Sequence, residues 1–460
     1  MRSPEVLRRL EQEYCSQGDT AGKRVEKLVF RRANGVFVET DDGRRLLDMQ
    51  MFNSSANFGY GNTEHESALL EQLGQLPGIG SEYQSAQRIE LSAEIAMSVL
   101  DRLGAKGRVH FSVSGAQAVE DALKLVALAT GRRSVFAFEG GYHGRTLAAA
   151  AVSSSFRYRD RFGAHERAQF VPFPYCFRCA YGKEFPSCQY YCVSQFERLF
   201  ESEFAGFRAP DGALEYTAFL AEPVLGRGGY IPPPPEYFHR LNDVLDKYGV
   251  LLIVDDIQMG IYRTGKLWSC ERFDVVPDML LFGKAVTNGL FPVSGVWAKD
   301  PLMDPAVWTP SSAHATFAGH PLGMAAGLAT FAVIKAQDFE ARAEALGARL
   351  ERGLRQIAQK RPILARIDRL GLALSVELCV SGTRKPAGDA AHRLKEQCLA
   401  ADEDAPNGVG KLGLLLTIGG YHDNVLTLSP SLHMTDEECD LFLVMFERYL
   451  GKSLDAMAPS

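Results

Sequence analysis

The chain has 460 residues, of which 46% are hydrophobic and 23% are charged, and its formal net charge is −6. It is long enough for a large core and more than one domain, and its charge gives no electrostatic reason to expect nucleic acid as a partner. The charged N-terminal segment lacks the apolar core of a signal peptide, and the longest low-charge run, residues 323–334, is too short to span a bilayer. We therefore expect a soluble cytoplasmic protein, and an odd number of cysteines, nine, agrees with a reducing compartment.

Short apolar strands alternate with helical patterns from about residue 108 onward. In chain order, the predicted strands lie at residues 109–111, 135–138, 218–221, 250–254, 279–282 and 293–297. In the segment between the first two strands, apolar side chains recur at the i, i+3, i+4, i+7 spacing of a helix, at Val119, Ala122, Leu123 and Val126. Such alternation predicts an α/β domain with a mainly parallel sheet and helices on both faces.

The last third of the chain has a different pattern. It contains a long helical region, two strands and a final helix, at residues 340–359, 372–378, 425–428 and from Thr435 onward. Thr435 and Glu438 have the spacing of a capping box, which predicts the start of that final helix. The predicted domains are a large α/β domain and a smaller α+β domain built from both termini, at residues 66–335 and at residues 1–65 with 336–460.

A run of small residues, Ser112-Val113-Ser114-Gly115-Ala116-Gln117, lies between the first predicted strand and the helix that follows it. Small residues allow the backbone to approach a ligand closely, and a helix N-terminus offers free N–H groups and the positive end of the helix dipole. The run is therefore a candidate phosphate-binding loop. Ser114 and Gln117 also have the spacing of an ordinary capping box, so the loop alone does not distinguish the two interpretations.

A second loop, Glu139-Gly140-Gly141-Tyr142-His143-Gly144, follows the strand at residues 135–138. Its glycines permit a tight turn, and the ring of Tyr142 could lie flat against an aromatic cofactor. The alternative interpretation is a strand-to-helix loop in which Tyr142 only covers the edge of the core.

Two strands are followed by side chains of opposite charge. Asp255 directly follows the strand at residues 250–254, and Lys284 follows the strand at residues 279–282. Because ligands collect at the carboxyl ends of the strands in an open α/β sheet, both side chains are expected in one ligand site. Together they indicate a lysine that forms a Schiff base and a carboxylate that pairs with a protonated pyridine nitrogen.

The residues after Asp255 extend this hypothetical ring site. Ile257 lies on the same side of the chain as Asp255 and could pack on the ring face opposite Tyr142. Gln258 could hydrogen-bond the phenolic oxygen of the ring. No role in the ring site is assigned to Asp256.

These motifs resemble those of the class III aminotransferases, pyridoxal-phosphate enzymes of fold type I that include ornithine, 4-aminobutyrate and diaminobutyrate transaminases. The resemblance extends from about Arg31 to Leu450 and is strongest over residues 251–265 and 282–284. The supporting motifs are Ser114-Gly115-Ala116, Tyr142-His143-Gly144, Glu222-Pro223-Val224 and His314-Ala315-Thr316-Phe317. The family implies a large domain with a mainly parallel sheet of the seven-stranded type and a smaller α+β domain.

The resemblance also implies roles for individual residues. Lys284 would hold pyridoxal phosphate as an aldimine and then move the proton at the substrate carbon, and Asp255 would pair with the pyridinium. The implied cofactor-binding residues are Ser114, Gly115, Ala116, Tyr142, His143, Asp255, Ile257, Gln258, Lys284 and Thr316. Thr316 would reach the phosphate of the neighbouring subunit, because active sites in this family form at the interface of a homodimer.

Three positions depart from the family pattern, and one of them is Val119, in a helix position where relatives often have Asn. Many transaminases of the family carry an arginine for the substrate carboxylate in the segment that matches residues 424–430, and here that position is Thr427. Arg227, in turn, stands where the family often has an acidic residue. An arginine could therefore have moved, or the substrate could lack the usual carboxylate. The segments Ala118-Val119-Glu120 and Asp255-Asp256-Ile257-Gln258 are most similar to the diaminobutyrate-transaminase branch.

A Tyr- and Pro-rich insert at residues 172–193 contains four closely spaced cysteines, Cys176, Cys179, Cys188 and Cys192. Their C-x2-C-x8-C-x3-C spacing makes them candidate ligands of a structural zinc ion. The alternative is a loop of reduced cysteines that pack as small hydrophobic side chains. No pair of histidines has a ligand spacing, so no catalytic metal is expected.

Three functions are consistent with these residues. The first is an aminotransferase that moves an amino group from an amine to an oxo acceptor. The absence of an arginine at Thr427 favours a terminal amine, as in a diamino acid, an ω-amino acid or an amino sugar of antibiotic biosynthesis. The second function uses the same Lys284 chemistry for racemisation, epimerisation or elimination. The third is a non-catalytic relative with the Cys-rich insert as a binding module, and the presence of Lys284, Asp255, Tyr142 and Thr316 argues against it.

Overall fold

The computed structural model describes residues 2–16, 18, 28–159, 168–209, 211–406, 408 and 410–455. In this part of the chain the strands are β1 (Phe30–Asn34), β2 (Phe37–Thr40), β3 (Arg45–Asp48), β4 (Gly107–Ser112), β5 (Ser134–Phe138), β6 (Ala168–Val171), β7 (Tyr216–Ala221), β8 (Leu251–Asp255), β9 (Met279–Phe282), β10 (Ser294–Lys299), β11 (Leu364–Leu370), β12 (Ala373–Leu378), β13 (Gly413–Leu415), β14 (Thr417–Gly419) and β15 (Val425–Leu428). The helices are α1 (Pro4–Tyr14), α2 (Met51–Ser54), α3 (Thr63–Gln75), α4 (Ala86–Leu103), α5 (Gly115–Thr130), α6 (Leu147–Val152), α7 (Phe156–Arg159), α8 (Tyr191–Glu201), α9 (Tyr237–Tyr248), α10 (Pro321–Ala336), α11 (Phe339–Lys360), α12 (Gly388–Ala400) and α13 (Asp436–Asp455).

A seven-stranded sheet forms the centre of the molecule, with the strand order β4-β10-β9-β8-β7-β5-β6. The neighbours from β9 to β6 run parallel, whereas β10 runs antiparallel to both β9 and β4. The predicted mainly parallel sheet is therefore confirmed, and each strand predicted for it is present with small shifts at the ends. Strand β6 was not predicted because it is an edge strand, only partly buried, and lacks a continuous apolar run.

The strands of this sheet bury side chains on both faces. Along β9, Met279 and Leu281 belong to one hydrophobic cluster, and Leu280 and Phe282 belong to another. Helix α5 contributes its apolar stripe to the first cluster, and α9 contributes its own stripe to the second. The predicted arrangement of helices on both faces is confirmed, because alternate residues of a strand point to opposite sides.

Two smaller sheets complete the fold, with the strand orders β1-β2-β3-β13 and β11-β12-β15-β14. Strand β13 comes from the last part of the chain and pairs in parallel with β3, in the register Gly413 with Leu46. Segments from both ends of the chain therefore share one sheet. The predicted strands at residues 372–378 and 425–428 correspond to β12 and β15.

Side-chain caps mark the starts of the helices that were predicted from the sequence. At the start of α13, the Thr435 N–H donates to Glu438 Oε2 at 2.8 Å, and the Glu438 N–H donates to Thr435 Oγ1 at 3.2 Å. This reciprocal pair confirms the predicted capping box. No helix in the described residues combines the length and the apolar character that are needed to cross a membrane.

Candidate active site

Lys284 lies at the carboxyl end of the central sheet, just after β9. Its φ is 43°, in the left-handed region that residues with a side chain rarely adopt. Such positions persist only where the surrounding structure holds them, and they are frequent at active sites. The residue before it is Gly283, and a Cβ there would lie 2.4 Å from the Ser294 hydroxyl, so a larger residue would require Ser294 to move.

Lys284 opens onto a cavity of about 530 Å³. The cavity is lined by Gly115, Ala116, Tyr142, His143, Gly144, Arg145, Thr146, Glu222, Asp255, Ile257, Gln258, Lys284 and Ser294. Of the residues predicted to bind the cofactor, only Ser114 and Thr316 lie outside this lining. Burial lowers the pKa of Lys284, and the negative charges of Asp255 and Glu222 oppose that decrease. A lysine whose ammonium form is disfavoured is a better nucleophile.

Asp255 ends β8, next to β9, and its carboxylate is held by His143. His143 Nδ1 lies 2.7 Å from Asp255 Oδ2, and the Ile257 N–H donates to Oδ1 at 3.3 Å. Because a carboxylate only accepts hydrogen bonds, His143 Nδ1 carries the hydrogen. His143 was predicted as a cofactor contact, and the structure shows in addition that it orients the carboxylate.

Glu222 is a buried carboxyl group of the cavity that the sequence analysis did not select as a site residue. It directly follows β7, and its two oxygens accept hydrogen bonds from the Tyr142 N–H at 2.8 Å and the Gly226 N–H at 2.7 Å. These two hydrogen bonds fix the loop that carries Tyr142. Burial also raises the pKa of Glu222 to about 7. The signal that could have identified it is the one used for Asp255, an acidic residue directly after a buried strand.

The predicted phosphate-binding loop lies at the N-terminus of α5. Gly115 and Ala116 line the cavity, whereas the Ser114 hydroxyl caps the helix by accepting the Gln117 N–H at 3.2 Å. The capping interpretation thus holds for Ser114. The backbone beside this loop approaches closely, because a Cβ on Gly144 would lie 2.6 Å from the Ala116 Cβ. The helix N-terminus therefore faces the cavity with small residues around it, as an anion site requires.

Gln258 lines the cavity and is hydrogen-bonded within the protein. Its Nε2 donates to the Tyr230 hydroxyl at 3.1 Å and lies 3.5 Å from the Asn53 carbonyl oxygen. Asn53 belongs to α2, which is a left-handed turn, since φ is 53° at Phe52 and 55° at Asn53. A left-handed turn of residues with side chains is unfavourable, so the surrounding contacts must maintain it at this edge of the cavity.

Arg145 is a second residue of the cavity that the sequence analysis missed. It follows Tyr142-His143-Gly144, and its guanidinium carbon lies 4.8 Å from the centre of the Tyr158 ring. The Tyr158 ring in turn lies 5.3 Å from the Tyr142 ring. Arg145 therefore places a positive charge in the same cavity as Lys284.

Three residues from the family comparison lie away from this cavity. Thr316 is exposed. Thr427 is buried in β15 and lies beside Gly419. A Cβ added to Gly419 would be 3.5 Å from Thr427 Cγ2. The same Cβ would be 3.5 Å from Arg227 Nη1. Arg227 and Thr427 thus both lie close to Gly419.

The four cysteines of the insert line a separate cavity of about 20 Å³, among the side chains of Phe173, Tyr181 and Phe185. All four are free, and burial raises the pKa of Cys176 and raises that of Cys192 to about 11. No three histidine, cysteine, aspartate or glutamate side chains of the described residues are arranged to hold a metal ion. The structure therefore gives no support to the predicted zinc site. Burial among aromatic side chains favours the neutral thiols of Cys176 and Cys192 over their thiolates.

The residues of the large cavity fit pyridoxal phosphate. Lys284 supplies a buried amine that forms no ion pair with any of the described residues, and Asp255 supplies a fixed carboxylate for a pyridinium nitrogen. Gly115 and Ala116 supply the helix N-terminus for a phosphate. Tyr142 and Ile257 supply an aromatic and an aliphatic wall for a ring.

Comparison with known proteins agrees with this geometry. Residues 20–450 match the family model described as aminotransferase class-III. The chain is 31% identical to the alanine/serine racemase of Pyrococcus horikoshii, over 98% of this chain and 91% of that protein. It is 30% identical to the diaminobutyrate–2-oxoglutarate aminotransferase of Rhizobium meliloti, over 90% of this chain and 86% of that protein. A PLP-bound amine transaminase of an uncultivated Pseudomonas species is 25% identical and has a TM-score of 0.83, over 95% of this chain and 97% of that chain.

The family match covers almost the whole chain, and the neighbouring structure has the same fold and carries pyridoxal phosphate. The expected family, fold type and cofactor are therefore confirmed. The chain belongs to the class III aminotransferases of fold type I, and it is a pyridoxal-phosphate-dependent transferase that moves amino groups.

Proposed function

We propose that the enzyme takes the terminal amino group of a diamino acid or an ω-amino acid and passes it to an oxo acid. The observation that supports this proposal is the presence of Arg145 and Lys284 in one cavity. A guanidinium binds a carboxylate through two parallel hydrogen bonds, so Arg145 is suited to hold the acid group of such a substrate. The similarity to a diaminobutyrate aminotransferase supports the same class of substrate.

Each residue of the cavity contributes a defined step. When bound, pyridoxal phosphate supplies the carbonyl group that receives the amine and the ring that accepts electrons from the broken C–H bond. Asp255 holds the ring nitrogen protonated, and His143 keeps the carboxylate in place. The Lys284 amine removes the proton from the carbon that bears the amino group and returns it during transfer. Tyr142, held by Glu222, covers the ring and excludes water.

Racemisation is the second candidate function, and the similarity to alanine/serine racemase favours it. Racemisation needs a proton-moving group on each face of the reacting carbon. The carboxylates that line the cavity are already engaged, since Asp255 pairs with His143 and Glu222 accepts two backbone N–H groups. Within the part of the chain that the structure describes, Lys284 forms no such bond, and transamination needs only this amine.

A homodimer is part of the proposal. Thr316 is absent from the cavity lining of its own chain, and its exposed position is consistent with a contact to the cofactor phosphate of a second subunit. Large apolar side chains are exposed in this region, among them Phe52, Tyr83 and Phe317. Exposed apolar surface of this kind is typical of subunit interfaces.

The test is a half-reaction of the purified yellow enzyme without an oxo acid. The substrates are diamino acids, ω-amino acids, amino sugars and simple α-amino acids, each added separately. We expect loss of the yellow colour with the diamino or ω-amino acids and recovery on addition of an oxo acid.

Arg145→Met should raise KM for these amines about 10- to 100-fold, because a charged hydrogen bond is lost.

Two other results would change the assignment. Bleaching by amino sugars alone would place the substrate outside the acids and leave Arg145 without its proposed role. Conversion of a single enantiomer of an α-amino acid into a racemate, with the yellow colour kept and no oxo acid present, would establish a racemase.

Thr316→Val should weaken cofactor retention, and analytical ultracentrifugation of the wild type should show a dimer.

A further inference from the structure

One ring nitrogen of His143 has no hydrogen-bond partner among the described residues. Nδ1 carries the hydrogen that is donated to Asp255, so Nε2 of the neutral ring is an acceptor. The side chain is buried, and Nε2 is closed to solvent. A buried acceptor without a donor is unfavourable and rare in native structures. A donor for Nε2 must therefore come from a neighbouring group or from a bound water molecule.

The Glu222 carboxyl group faces the same small space as His143 Nε2, beside Gly141. A Cβ added to Gly141 would lie 3.2 Å from His143 Nε2, 3.8 Å from Glu222 Oε1 and 3.0 Å from the Phe138 carbonyl oxygen. Because Gly141 has no side chain, the approach between the imidazole and the carboxyl group stays open. Polar atoms on several sides of this space are also what a bridging water molecule needs.

Glu222 is a donor only while it holds a proton. Its two oxygens accept backbone N–H groups and form no ion pair with the described residues. Burial raises the pKa of Glu222 to about 7, the charge of Asp255 acts in the same direction, and His143 opposes the increase. Lys284 and Tyr421 are the other titratable groups that interact with Glu222. The carboxyl group therefore keeps its proton in mildly acidic solution and begins to lose it near neutral pH.

A second acceptor lies on the other side of the carboxyl group. A Cβ added to Gly226 would lie 2.8 Å from Glu222 Oε2 and 2.1 Å from Gln258 Oε1. Gln258 is partly exposed and lines the cofactor cavity, so solvent or a ligand has access to its amide oxygen. Nε2 of His143 has no such access. The need for a proton donor is therefore greater on the side of His143.

We propose that Glu222 donates a hydrogen bond to His143 Nε2, directly or through one water molecule beside Gly141. Glu222, His143 and Asp255 then form a chain of hydrogen bonds that ends at the ring nitrogen of the cofactor. A donor at Nε2 keeps the hydrogen of the imidazole on Nδ1, where it holds the Asp255 carboxylate. Hydrogen bonds in such a chain polarise and strengthen one another. Glu222 is thus a positioning residue that acts on Asp255 through His143, whichever amine is the substrate.

The test is infrared spectroscopy of the holoenzyme without substrate, because a protonated carboxyl group has a C=O band that a carboxylate lacks. Glutamate labelled with ¹³C shifts the band of Glu222 and separates it from those of Asp48 and Asp256, two carboxyl groups whose pKa burial also raises. We expect a labelled band that disappears as the pH rises through about 7. Loss of this band in Glu222→Gln assigns it, since Glu271 is retained in that variant. The absence of any labelled band in mildly acidic solution would overturn the proposal.

Two substitutions identify the acceptor. His143→Phe should shift the Glu222 band to higher frequency, because the carboxyl group loses its hydrogen bond. Gln258→Met is the matched control and should leave the band in place. A band that shifts in Gln258→Met and stays in place in His143→Phe would place the proton on the other side of Glu222 and overturn the chain.

Nitrogen NMR of the wild-type holoenzyme, with ¹⁵N-labelled histidine, provides a readout that needs no variant to fold beyond the one used for assignment. The Nε2 resonance of His143, identified by its loss in His143→Phe, should shift over the same pH range in which the infrared band disappears. A purely structural role of Glu222 predicts no such coupling, so a resonance that stays constant over this range would also overturn the chain. Neither readout uses an amine, so both outcomes are independent of the proposed substrate class.

Discussion

Among the described residues, one cavity at Lys284 and another in the Cys-rich insert both gather reactive side chains, and they are built in opposite ways. The lining of the Lys284 cavity comes from the carboxyl ends of β4, β5, β7, β8 and β9 and the segments that follow them, together with Ser294 at the start of β10, and these segments are far apart in the chain. The cysteine cavity is lined almost entirely by one short stretch of chain, between Phe173 and Cys192. The difference shows that close spacing of residues in the sequence is not enough to form a ligand site. A ligand site forms where the ends of several strands converge at one edge of a sheet.

The two cavities also differ in how their polar groups are satisfied. At Lys284, carboxylates are fixed by partners, such as His143 for Asp255, and one amine is left available for chemistry. In the insert, aromatic side chains surround the thiols and raise the pKa of Cys176 and Cys192 through burial. The first arrangement is ready for catalysis, and the second is a packed core.

The largest expected effect is that of Lys284→Ala. Removal of the amine that holds the cofactor and moves the proton should lower kcat about 10³-fold or more. Absorption spectroscopy should show that the yellow form is lost, even after pyridoxal phosphate is added. Lys124→Ala, an exposed lysine on α5, is the control and should remain yellow and active. A yellow, active Lys284→Ala variant would contradict the assignment of the catalytic lysine.

Asp255→Asn should lower kcat about 10²- to 10³-fold, because a neutral amide cannot stabilise a protonated ring nitrogen. The matched control is Asp256→Asn. Asp256 is buried, accepts hydrogen bonds from the Ser269 N–H and hydroxyl, and has a pKa that burial raises to about 8, so little charge is lost at neutral pH. Steady-state kinetics should show a much smaller change in kcat for the control. Equal losses in both variants would indicate a structural effect of Asp255.

Glu222→Gln should change the pH dependence of stability. Burial raises the pKa of Glu222 from 4.5 to about 7, so between these values the folded protein holds a proton that the unfolded chain releases. The contribution of Glu222 to the free energy of unfolding is therefore fully present below pH 4.5. It decreases as the pH rises toward 7, by up to about 1.4 kcal/mol per pH unit. Urea unfolding at several pH values should show a shallower decline in the variant. Identical slopes would mean that Glu222 is ionised in the folded enzyme.

The smallest effect on activity is expected for the double substitution Cys176→Ser and Cys192→Ser. Hydroxyl groups in an aromatic environment should lower the free energy of unfolding by about 1–3 kcal/mol and leave kcat nearly unchanged. Urea unfolding and steady-state kinetics measure both quantities. A much larger loss of stability, accompanied by release of zinc from the wild type, would show that the insert binds a metal and would remove the contrast between the two cavities.

Much of the central sheet and the main site residues could be predicted because they leave local signals. Buried parallel strands appear as continuous apolar runs, and Asp255 ends one of them while Lys284 follows another after a single glycine. Strand β6 left no such signal, since it is short and only half-buried at the edge of the sheet. The antiparallel direction of β10 also left none, because strand direction depends on connections and not on composition.

The sequence alone thus determined the alternation of strands and helices, the family, and the lysine and carboxylate at the strand ends. Only the tertiary structure decided which partners those groups have. The bond of His143 to Asp255 joins residues 112 positions apart, and the bond of Glu222 to the Tyr142 N–H joins residues 80 positions apart. The approach of Arg227 and Thr427 to Gly419 likewise depends on how distant segments meet. The physical reason is that burial is encoded in local hydrophobic patterns, whereas contacts between side chains are set by the register and order of strands that are distant in the chain.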